Sequence, residues 1–89
     1  MDLSDADPKG LVRESYAIEG ITAPECRSIF LDWALSLKAG IETHPAIRAL
    51  LEHYGPGREG HPMTGVMQAA LAAPETPRRR GGRAARVGG

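Results

Sequence analysis

Three histidines and one cysteine are the side chains of this 89-residue sequence best suited to chemistry, as metal ligands or, for Cys26, as a nucleophile. His44, His53 and His61 stand nine and eight residues apart. Compact zinc sites pair ligands with about two to five residues between them, so this spacing predicts no metal site. His44 and His61 each precede a proline at the start of a helix, and His53 falls near a helix end, where a cation suits the dipole. A thiol nucleophile needs an activating base and a shaped turn. Cys26 instead shares an apolar stripe with Ile29 and Phe30 and reads as a core residue. Glu14, Glu19, Glu25 and Asp32 are distributed as helix surfaces distribute carboxylates, not as a general acid and base. Gly55, Gly57 and Gly60 lack the preceding strand and the lysine of a phosphate-binding loop. A chain without cofactor, metal or catalysis is the expectation.

A second chemistry lies at the C-terminus, where Arg78, Arg79, Arg80, Arg83 and Arg86 alternate with glycine and alanine. Residues 1–73 hold ten acids and six bases (net −4), and residues 74–89 hold one acid and five arginines (net +4), so the formal charge of zero conceals a division. Guanidinium groups pair with phosphates and with acidic protein surfaces. The segment has no aromatic side chain on which a base would stack, so on its own it implies weak, sequence-independent and salt-sensitive attachment to nucleic acid. Attraction to the acidic body and a solubilising role are equally consistent with it.

A third reading rests on Ser15-Tyr16-Ala17-Ile18-Glu19-Gly20. These six residues resemble the serine, three residues, glutamate, glycine pattern of the helix that inhibits Fic-type AMP transferases, and Ile18, apolar just before the glutamate, agrees with it. In that family the glutamate pairs with an arginine that otherwise binds the γ-phosphate of ATP. The resemblance implies that Glu19 supplies the obstructing charge, with Ser15 as a supporting hydrogen-bond partner. The same residues also read as a helix end, with Gly20 its terminator and Glu19 solvated.

Helices must position all of these groups. The first is predicted over residues 8–19, with Asp7 capping it, Pro8 in the first helical position and Gly20 ending it. The second starts at Thr22-Ala23-Pro24-Glu25, a capping box, and runs towards Gly40. Its residues Ile29, Phe30, Trp33 and Leu37 recur at helical spacing, while Leu31 and Leu35 fall roughly opposite that stripe at about 100° per residue. The third begins at Thr43 or His44, turns Ile47, Leu50, Leu51 and Tyr54 inward, and stops at Gly55-Pro56-Gly57. The fourth opens at His61-Pro62 and buries Met63, Val66, Met67, Ala70 and Leu71. No stretch alternates as a strand does. The fold class expected is all-α, a small antiparallel bundle of about four short helices over residues 1–73, with a disordered tail over residues 74–89.

At this length only about two-thirds of the unfolded surface is buried on folding, so a modest stability and a supporting partner are expected. A lone cysteine forms no internal disulfide, no basic-then-apolar leader opens the sequence, and no apolar run spans a membrane, so the expected location is cytoplasmic. The reading that these features favour is a non-enzymatic interaction or regulatory module whose Leu31 and Leu35 contact another protein or a second copy. If instead the five arginines bind duplex DNA, the logarithmic salt slope of binding is expected at about −4 to −5, and deletion of residues 75–89 is expected to abolish it in a salt titration.

Overall fold

The computed structural model describes residues 1–74, so the arginines of the tail lie outside the described residues. The chain is all-helical there, with α1 Leu3–Ala6, α2 Leu11–Ala17, α3 Ala23–Ser36, α4 Thr43–Tyr54 and α5 Pro62–Ala72, and no strand among the described residues. None of these helices is long and apolar enough to cross a membrane.

Helix α5 packs on α2, α3 and α4, and α4 packs also on α1, while α3 packs on both α2 and α5. Helix α3 starts where the capping box places it. Thr22 Oγ1 accepts from the Glu25 N–H at 3.3 Å, and Glu25 Oε1 accepts from the Thr22 N–H at 2.9 Å. Cys26, Trp33 and Leu37 are buried, with Ile29, Phe30 and Ala34 packed against them. The helix ends at Ser36, short of Gly40. Ser36 Oγ donates to the Trp33 carbonyl at 2.7 Å, occupying one acceptor of the last turn. Leu37 then turns extended (φ −66°, ψ 141°) and drops into the core. Gly40, at φ +89°, shapes the turn beyond instead of capping the helix.

Helix α2 is shorter than the predicted 8–19, although Asp7 does cap it. The Gly10 N–H closes a turn on the Asp7 carbonyl at 3.0 Å with Gly10 left-handed at φ +68°, which no helical residue adopts, so the helix begins only at Leu11. From the far side of that turn the Asp7 carboxylate accepts from the Val12 N–H at 3.3 Å and the Arg13 N–H at 3.0 Å. At the other end the chain leaves the helix at Ile18 and brings Ile21, 9% exposed, into the core ahead of the Thr22 cap.

The one-turn α1 has no counterpart in the sequence reading. A single turn does not persist alone, because nucleation fixes several dihedrals for one hydrogen bond. It is held from outside: Ala6 is fully buried, and the indole N–H of Trp33 donates to the Ala6 carbonyl at 2.6 Å. Trp33→Phe removes this donor, leaving a buried carbonyl unpaired, and vacates part of the space the indole fills. A loss greater than the about 1–3 kcal/mol of the unpaired carbonyl alone is expected in urea unfolding, together with faster amide exchange at Ala6 and Asp7.

Candidate functional site

The outer face of α3 is where the sequence-predicted partner residues lie. Leu31 is 64% and Leu35 84% exposed. Four residues apart, they are neighbours on one helical face, with Trp33 buried on the opposite side. Leu35 also borders a cavity of about 320 Å³ whose lining includes Lys9, Leu11, Asp32 and Ser36. An apolar strip thus continues from α3 onto the start of α2, with one charge of each sign beside it. Nearby, Lys38 pairs with Asp5 at 3.6 Å, but both side chains are well exposed and the pair adds little. Chemically this face offers apolar area and two flanking charges for docking.

Ser15 and Glu19 are separated by the early end of α2. Ser15 is fully buried and its hydroxyl donates to the Val12 carbonyl at 2.7 Å. Glu19 lies past the helix, exposed, beside a left-handed Gly20 at φ +78°. Cys26 is buried, and burial pushes its thiol up, with the neighbouring Glu25 charge adding to the effect, so the reactive thiolate is disfavoured. Among the described residues, no three His, Cys, Asp or Glu side chains gather closely enough to hold a metal ion.

The structure adds a polar and aromatic cluster that joins α2, α4 and α5. Thr64, 1% exposed, donates its hydroxyl hydrogen to the Arg58 carbonyl at 3.0 Å. That hydrogen being committed, the Tyr16 O–H is the donor in the 2.6 Å bond to Thr64 Oγ1. The Tyr16 ring stacks on Tyr54 at 5.1 Å, meets His61 at 4.4 Å, and lies under the Arg58 guanidinium at 5.9 Å. Burial raises the hydroxyl pKa of both tyrosines, so they remain neutral at physiological pH. His61 itself is the N-cap of α5, its Nδ1 accepting from the Met63 N–H at 3.0 Å. The only sequence signal for this role is the His61-Pro62 pair, which marks a helix start without revealing that the ring supplies the cap.

A further cavity of about 520 Å³ opens between the start of α2 and the end of α4, with Asp7, Lys9, Arg13, His53 and Tyr54 among its lining. Both Asp7 oxygens accept from backbone donors, and its charge still acts on Tyr54 across the space that Lys9 and Arg13 also line.

No protein-family model matches the chain, and no curated protein or solved structure matches it either.

Tyr16→Phe removes the bridge from α2 to Thr64 without disturbing the ring stack. A loss of about 1 kcal/mol is expected, read as a melting midpoint about 4–8 °C lower. In a double-mutant cycle with Thr64→Val, additive losses would show that the two hydroxyls do not interact.

Proposed function

We propose that this chain is a non-enzymatic protein-interaction module that docks the outer face of α3, through Leu31 and Leu35, on an apolar surface of another protein or of a second copy. The observation that carries this reading is the exposure of two leucines, 64% and 84%, on the helix whose other side anchors the core. Burying a leucine fully contributes about 1.5–3 kcal/mol. At 64% and 84% exposure the leucines of two copies present about three leucines' worth of surface, so a self-association supplies about 4–9 kcal/mol, towards the low end of the cost of association at about 4–15 kcal/mol. Self-association through these residues is accordingly transient, and a tight complex requires a partner that covers more of the domain.

Inhibition of a Fic-type AMP transferase is a second reading, supported by the exposure of Glu19, whose carboxylate is open to a partner's arginine. Because Ser15 points into the core, that reading rests on Glu19 alone.

Leu31→Glu/Leu35→Glu tests the docking face, since glutamate is a good helix former and neither position contributes to the core. In light scattering across a concentration series, the wild-type mass is expected to rise with concentration, or the wild type to form a mixed complex with a protein of its source cell. The double variant is expected to stay monomeric and unbound at an unchanged melting midpoint. A wild type that is monomeric at every concentration, and that retains the same proteins as the double variant, would overturn the proposal.

A further inference from the structure

We propose that His61 is an acid-sensitive cap, holding the first turn of α5 together while its ring is neutral and releasing that turn when Nδ1 takes up a proton. The hydrogen bond at Nδ1 specifies the protonation state. Nδ1 accepts from the Met63 N–H at 3.0 Å, so it carries a lone pair and no hydrogen. On the α2 side the ring meets Tyr16 at 4.4 Å, and the Ser15 backbone favours its charged form. A neutral imidazole keeps the acceptor that the Met63 N–H requires.

An imidazolium has no acceptor left. Protonation sets two N–H groups against each other at Met63 and removes the cap of α5. It also puts a positive charge at a helix N-terminus, where the dipole disfavours it. The surroundings add opposition. From the loop before α5, the Arg58 guanidinium acts on the ring with the same sign, and the Glu59 carboxylate is engaged by the Gly57 N–H at 3.2 Å. The facing groups of the other elements are Tyr16 of α2, Tyr54 of α4 stacked on it, and Thr64 of α5, all uncharged. Burial first, and Arg58 after it, hold the imidazole below its ordinary value of 6.5 against the opposing pull of the Ser15 backbone.

The sign of the effect follows. With a folded-state value below that of the unfolded chain, the unfolded chain takes the proton first, so the stabilisation from His61 is complete above about pH 6.5 and is lost as pH falls through the folded value. Met63 and Thr64, both buried directly after the cap, are the core residues that loosen with it.

The test combines an NMR titration of the full chain with amide-exchange protection factors at Met63 and Thr64. His61 is expected to titrate below 6.5, with protection falling in step by up to about tenfold per pH unit across the window. His61→Asn retains an N-cap acceptor and does not titrate, so its protection there is expected to stay flat with pH. His53→Asn, which removes an exposed imidazole, is expected to keep the wild-type pH dependence. A folded-state His61 that titrates at or above 6.5 would overturn the proposal, as would an undiminished pH dependence in His61→Asn. Should His61→Asn not fold, the wild-type titration and protection data decide alone.

Discussion

The burial of Trp33 sets the rotation of α3, and the rest of the structure is arranged around that rotation. With the indole fully enclosed and its N–H committed to the Ala6 carbonyl, the helix has one orientation available to it. Two residues to either side, at about 100° per residue, lie roughly on the far side of the helix, so Leu31 and Leu35 face water as a consequence of where Trp33 points. The exposed leucine pair and the anchoring of α1 therefore share one cause. A rotation that hid the leucines would expose the largest side chain of the core and leave the end of α1 without its donor.

Polar groups carry out the connections that so small a core cannot. Asp7 reaches across a turn to cap α2, Thr22 and Glu25 cap α3 reciprocally, and His61 caps α5 with its ring. Each of these is paired with a backbone donor at the beginning of a helix, and for the buried Asp7 that pairing offsets the cost of burying a polar group. Tyr16, Thr64 and Arg58 continue the same economy between elements, joining α2 to α5 and to the loop before it. The aromatic stack around Tyr16 supplies apolar contact at the place where these polar bonds converge.

What the sequence made legible follows from the range of the interactions concerned. The start of α3 is written in adjacent residues, because a capping box is closed within four positions. The limits of α4, Thr43–Tyr54, follow from Pro45 near its start and the glycines just past its end. Leu31 and Leu35 were separable from the core stripe by periodicity alone. The unforeseen features depend on distant partners or on competition within a turn: α1 exists through a tryptophan 27 residues away, and Tyr16 meets Thr64 across 48 residues. The start of α2 and the end of α3 depart from the sequence expectation, the first because Gly10 is left-handed and the second because Leu37 turns extended to enter the core. For Ser15 and Glu19, spacing along the chain suggested a pair, whereas the early end of α2 turned one inward and the other out.

Cys26 is completely enclosed where α3 meets its neighbours, and it is the only thiol in the chain. A thiol-reactive reagent reaches its sulfur only in molecules where that packing has opened, so alkylation proceeds at a rate set by opening events rather than by the reagent's access to a surface. The protein thus contains a built-in chronometer of its own transient unfolding, placed one residue past the capping box and requiring no added label.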